Sequence, residues 1–164
     1  MIKRVILVGN GRFGKNHLRN LQRLGVLYAV VDTDHQALDK ANCPRHSRNI
    51  YDFIDEADAI DVCTAPEAHL EYCLLALQHH KHLFVEKPVV TDCEQFERLA
   101  ALKFSDWQFM VGSIYDFVPA MVEARRLPAT KVHFEIIRPP RDRPSDLLNE
   151  LGWHPIDWVL KKFG

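Results

Sequence analysis

Glycine is scarce in this chain, with seven among 164 residues, roughly 4% where ~7% is ordinary. Neither sign of charge is in excess, since 21 Lys and Arg stand against 22 Asp and Glu, a formal net charge of -1. That balance excludes a surface-wide field for nucleic acid or anionic lipid, so a polyanion must be held at a local site, and neither partner is expected. Long apolar runs are missing too. Lys3-Arg4 is followed by Val5-Ile6-Leu7-Val8 and then Gly9, short of the ~7–15 apolar residues of a secretory core, and nothing approaches the ~18 of a membrane span. The cysteines Cys43, Cys63, Cys73 and Cys93 lie ten or more positions apart with no C-x-x-C, which excludes a zinc knuckle or redox dithiol and predicts a reducing cytoplasm. A hydrophobic share of 47% excludes a disordered chain.

What the chain has is alternation. Val5 to Val8 is a continuous aliphatic run closed by Gly9, the pattern of a strand buried on both faces of a parallel sheet. Residues 12–24 follow as a helix with Phe13, Leu18, Leu21 and Leu24 on one side and Gly25 as its stop. Leu27 to Val31 is a second buried strand, ending in Asp32. Ala57 to Ala65 is the next, and Pro66 then introduces a helix whose Leu70, Cys73, Leu74 and Leu77 keep core-facing spacing. His82 to Val85 is another strand, Thr91-Asp92-Cys93-Glu94 is a capping box before a helix to about Lys103, and Gln108 to Val111 is one more strand.

Strands alternating with helices predict βαβ units and an α/β fold, a Rossmann doubly wound parallel sheet over residues 1–118. Residues 119–164 predict a small α+β appendage: a helix over 119–127, a two-faced strand from Lys131 to Ile137, a loop over 138–144 and an amphipathic helix to Gly164. His79, His80 and His82 beside Lys81 complement a helix C-terminus rather than ligate a metal, and no metal is expected. Arg138, Arg141 and Arg143 suit a solvated loop or a grip on an anionic substrate. Trp107, Trp153 and Trp158 read as packing residues.

The scarce glycines are crowded, three of them falling in Gly9-Asn10-Gly11-Arg12-Phe13-Gly14. This G-x-G-x-x-G follows a buried strand and opens a helix. The first glycine permits the tight turn, the second lets backbone approach a pyrophosphate, and the third allows close helix–strand packing. Asp32 ends the second strand 18 residues past Gly14, where an acid accepts hydrogen bonds from the adenine ribose and repels a 2′-phosphate. The combination predicts NAD in preference to NADP. Arg12 suits a phosphate contact or plain solvation equally.

Glu86-Lys87-Pro88 directly follows the strand His82 to Val85, at the sheet edge where open α/β folds bind ligands. With the glycine loop, and with Thr64-Ala65-Pro66 and His69 after the middle strand, the order and spacing resemble the glucose–fructose oxidoreductase/inositol dehydrogenase (Gfo/Idh/MocA) family across nearly the whole chain. The run Gly14-Lys15-Asn16-His17-Leu18-Arg19-Asn20-Leu21 looks most like the branch that oxidises nucleotide-activated amino sugars. The resemblance implies that Lys87 contacts the substrate hydroxyl and the nicotinamide ribose, that Glu86 helps to hold the cofactor, and that Thr64, Pro66 and His69 line the nicotinamide side. By itself, His69 reads as a polar position on the exposed part of its helix.

The family's second signature aligns with Glu150, His154 and Asp157, whose i, i+4, i+7 spacing shares a helix face. Glu150 replaces the usual Asp, displacing its carboxylate by about 1 Å, and Pro155 disfavours helical geometry at His154. The implied chemistry is hydride transfer between nicotinamide and a sugar, polyol or nucleotide-sugar hydroxyl, with His154 taking the proton and Lys87 stabilising the alkoxide. The alternative is a non-catalytic NAD-binding protein without a substrate wall. Family members usually carry about twice this length, so the resemblance also implies a shortened substrate domain. An unpaired strand exposes donors and acceptors, so the segment Lys131 to Ile137 predicts a homo-oligomer.

Overall fold

The computed structural model describes residues 1–101, 109–128 and 158–162. Its first compact unit is Met1–Gly112 and its second is Ser113–Gly164. The first unit contains a parallel sheet of β1 (Val5–Val8), β2 (Leu27–Val31), β3 (His46–Ser47), β4 (Ala59–Val62), β5 (His82–Val85) and β6 (Phe109–Val111) in the order β3-β2-β1-β4-β5-β6. The strand order reverses between β1 and β4, the switch point at which doubly wound sheets open a crevice. Helices α1 (Gly14–Arg23), α2 (His35–Asp39), α3 (His69–Gln78) and α4 (Cys93–Ala100) make the connections.

The side-chain period of two sorts the strand residues into two layers. Ile6, Val8, Ala29, Val31, Ile60, Val62, Leu83 and Val85 form one core with Leu70, Cys73 and Ala76 of α3 and Leu99 of α4. Leu7 and Val30 face the other way, into a smaller core with Leu18 of α1 and Leu38 of α2. Asp61 is in register with Leu7 and with Phe84, so it belongs to this second face. A carboxylate therefore stands in the middle of a central strand, 6% exposed.

The predicted doubly wound α/β architecture is present, with local corrections. The first helix begins at Gly14, so Phe13 is its N-cap, and Phe13 and Leu24 are exposed rather than part of the apolar stripe. His17 occupies the sheet-facing position instead. The strand expected over 57–65 is limited to Ala59–Val62. At α4 the cap is shifted by one residue: Asp92 accepts from the Gln95 backbone N–H at 2.8 Å, while the Gln95 side chain reaches back to the Thr91 N–H at 3.2 Å. The short α2 and β3 carry too few residues to show a period. Asp34 nevertheless caps α2, accepting from the Gln36 N–H at 2.9 Å.

In the second unit α5 spans Pro119–Arg126, residues 158–162 are helical, and the buried Trp158 donates its indole N–H to the Met121 carbonyl at 2.8 Å. The expectations for Lys131 to Ile137, for Arg138, Arg141 and Arg143, and for Trp107 and Trp153 lie outside the described residues.

Candidate functional site

The glycine loop shows a different constraint at each glycine. Gly9 has φ +89, a conformation L side chains rarely adopt, and a Cβ there would stand 2.7 Å from the Cys63 carbonyl oxygen. A Cβ on Gly14 would stand 1.9 Å from the Gly9 carbonyl oxygen, so the helix closes against the loop only without a side chain. Gly11 is the opposite case, since a Cβ there would meet nothing within 4 Å. Two glycines thus build the turn and the third keeps open the space over it. The N-terminus of α1 has no side-chain cap and no acid in its first turn, leaving its positive dipole end to an anion. Arg12 and Phe13 are exposed at this end.

Asp32 is pre-oriented by backbone. Its Oδ2 accepts from the Asn10 N–H at 2.6 Å and its Oδ1 from the Asp34 N–H at 2.9 Å. Asn10 is 1% exposed and donates from Nδ2 to the Ala37 carbonyl at 2.7 Å, while its Oδ1 has no partner among the described residues. An open approach at Gly11, an uncapped helix N-terminus, an oriented carboxylate and an orphaned buried acceptor together fit a dinucleotide.

The loops after β4 and β5 lie at the same carboxyl edge. Thr64 and Pro66 follow β4, with Pro66 opening a 3-10 turn over Pro66–Ala68. Glu86 and Lys87 follow β5, and the Lys87-Pro88 peptide is cis. His69 fastens the two loops. Contrary to the exposed position read from its helix alone, it is 1% exposed, with Nδ1 2.7 Å from the Pro88 carbonyl oxygen and Nε2 3.1 Å from that of Thr64. It reaches the core because the 3-10 turn ahead of α3 aims the first residue of the helix inward.

Sequence reading missed a second histidine. His17 on α1 places Nδ1 2.9 Å from Asp61 Oδ2 and Nε2 3.3 Å from Glu86 Oε1. The hydrogen bond to Asp61, aided by Cys63 and Glu86, pushes the imidazole up to about 12 despite partial burial. Burial raises the Glu86 carboxyl, but His17 and the Lys87 N–H outweigh it and leave the group below its ordinary value. Burial pushes the Cys63 thiol up to about 12. Ligand atoms of His17, Asp61 and Cys63 all lie within 4.8 Å of one another, yet the 2.9 Å contact of His17 with Asp61 is a direct charged hydrogen bond rather than the wider gap a shared ion leaves. Gly112 completes the set: a Cβ there would stand 2.8 Å from Glu86 Oε1. The available signals were an acid inside a buried strand and a glycine just beyond one. Glu150, His154 and Asp157 lie outside the described residues.

Comparison with known proteins gives these features a lineage. The chain is 28% identical to inositol 2-dehydrogenase 2 of Saccharopolyspora erythraea over 98% of its own length and 54% of that protein. A structure of scyllo-inositol dehydrogenase from Lactobacillus casei with bound NAD(H) and scyllo-inositol superposes with a TM-score of 0.64 and 25% identity, covering 77% of this chain and 40% of the other. GenD2 from gentamicin A biosynthesis, in complex with NAD, shares the fold at a TM-score of 0.76 and 22% identity, over 99% of this chain and 55% of that one. The chain thus spans about half the length of the curated relative. Residues 3–112 match the model of the oxidoreductase family with an NAD-binding Rossmann fold, and the chain belongs to that Gfo/Idh/MocA family.

Proposed function

We propose that this chain binds NAD and serves hydride transfer between the nicotinamide and a secondary hydroxyl of a sugar, polyol or nucleotide sugar. The observation that carries this reading is the sharing of one sheet edge: the glycine loop and Asp32 follow β1 and β2, and Glu86-Lys87 follows β5. The cofactor supplies the hydride chemistry when bound. Gly11 admits the pyrophosphate, the α1 N-terminus faces its charge, and Asp32 accepts from the adenosine ribose hydroxyls. Lys87 donates to the oxygen on which negative charge develops, and Glu86 holds the turn that carries Lys87. His154 is the proton acceptor and Glu150 a further catalytic residue in this proposal.

Selection of NAD over NADP rests on Asp32, whose two oxygens already take backbone donors and whose charge repels a 2′-phosphate. Asp32→Ala is expected to weaken NADH binding about tenfold or more, a loss of at least ~1.4 kcal/mol, and to narrow the gap to NADPH; equal binding of both cofactors by the unaltered protein would overturn the assignment. Turnover is tested by following NADH absorbance with inositols, glucose 6-phosphate and UDP-N-acetylglucosamine, the substrates in relatives' names. Activity abolished by Lys87→Ala and His154→Ala supports the enzyme; tight NADH binding without turnover supports a non-catalytic cofactor protein. A homo-oligomer paired through residues 131–137 belongs to the same proposal, and a strictly monomeric particle in light scattering would contradict it.

A further inference from the structure

Four separate stretches of chain converge beneath the Glu86-Lys87 turn: α1 through His17, β4 through Asp61, the end of β5 through Glu86, and the residue after β6, Gly112. Both ring nitrogens of His17 face carboxylate oxygens, Asp61 at 2.9 Å and Glu86 at 3.3 Å. An ionised carboxylate only accepts, so the ring serves both partners only with a proton on each nitrogen. Glu86 then spends its other oxygen on the backbone, Oε2 accepting from the Lys87 N–H at 3.3 Å. Gly112 bounds the carboxylate on a further side, where a Cβ would stand 2.8 Å from Oε1. The Phe84 ring lies 5.6 Å from the imidazole and walls it in.

We propose that His17 is a positioning residue for Lys87: anchored on Asp61, its imidazolium holds the Glu86 carboxylate in place, and Glu86 in turn sets the backbone turn from which the Lys87 ammonium projects. The network couples the helix that follows the glycine loop to the lysine at the other end of the crevice, so the two halves of the site are spaced by one ring. Asp61 keeps the ring charged through any ordinary assay pH, and the bridge persists with it. This inference rests on the reading of Lys87 as the group that meets substrate.

The test reads Lys87 directly, without turnover. Acylation of each lysine by an amine-reactive reagent is followed by peptide mass spectrometry, with NADH binding measured by fluorescence on the same samples and folding checked by circular dichroism. In His17→Gln the Glu86 carboxylate and the turn it holds lose their anchor; Lys87 labelling relative to the other lysines is expected to change by about threefold or more, as groups of one charged network are coupled. Asp61→Asn, which keeps the ring but removes its anchor, is expected to act in the same direction and carries the test if His17→Gln does not fold. In a Glu86→Gln background the His17→Gln effect is expected to shrink below about twofold, because the link is already cut. Unchanged labelling in folded His17→Gln and Asp61→Asn, or an equal effect with and without Glu86→Gln, overturns the inference. Failure of the unaltered protein to bind NADH would instead overturn the functional reading, while the labelling pattern still reports on the network.

Discussion

Single residues separate folding from binding most clearly within the glycine loop. Gly14→Ala would drive a methyl group to 1.9 Å from a backbone oxygen, and overpacking of that kind costs about 1–3 kcal/mol or more. Its thermal midpoint is expected to fall by several degrees, with cofactor binding lost as a consequence. Gly11→Ala meets nothing, so the thermal midpoint is expected to stay close to that of the parent while NADH binding weakens about tenfold or more as the methyl blocks the pyrophosphate. Equal destabilisation by both would refute the division of labour. These glycines and Asp32 were legible in the sequence because turn, helix start and strand end are local events set by neighbours in the chain. His17 was not, because its meaning depends on Asp61 and Glu86, which are 44 and 69 positions away. The exposure read for His69 from its helix alone failed for the same reason: its partners, Thr64 and Pro88, meet only when two loops lie side by side.

At the scale of elements, the strands β1, β2 and β5 were readable to the residue, since short, largely apolar runs each closed by Gly9, Asp32 or Glu86 suit a covered sheet. α2 and β3 were invisible because five polar-rich residues and two residues set no period. The start of α4 shows how a capping motif is resolved by geometry: Thr91 and Asp92 both suit the role, and the backbone chooses Asp92. Asp92→Ala is expected to cost about 1 kcal/mol of stability and Thr91→Ala distinctly less, measured by chemical denaturation; the reverse order would mean that the helix starts one residue earlier. The loops after β4 and β5 have no ladder to hold them, and His69 does so from the first position of α3. His69→Ala removes the ring that lies between the Thr64 and Pro88 carbonyls, at a cost of about 1–3 kcal/mol, and is expected to raise amide exchange in both loops together.

For the whole molecule, pH acts on stability from both sides. Asp58, held low chiefly by the Lys3 N–H, and Asp116, where Lys161 and Arg125 outweigh burial, lie below the ordinary carboxyl value together with Glu86. A depressed group stabilises above its unfolded pKa, near ~4, and that contribution is lost as pH falls through the folded value. His17 has the opposite sign: raised, its contribution is complete below ~6.5 and declines as pH climbs toward the folded value of about 12. The thermal midpoint is therefore expected to drop steeply below pH ~4, and the gap between the unaltered protein and His17→Gln to narrow on the alkaline side. A gap that widens there would refute the ion-pair account. The sequence by itself determined the doubly wound sheet, the glycine loop and its acid, because hydrophobic period and turn chemistry act between near neighbours and need no third dimension. Only the tertiary structure decided that a histidine of α1, an acid of β4 and the glutamate after β5 form one charged bridge, because hydrogen bonds have a reach of about 3 Å and chain spacing says nothing of which distant side chains the sheet order brings within it.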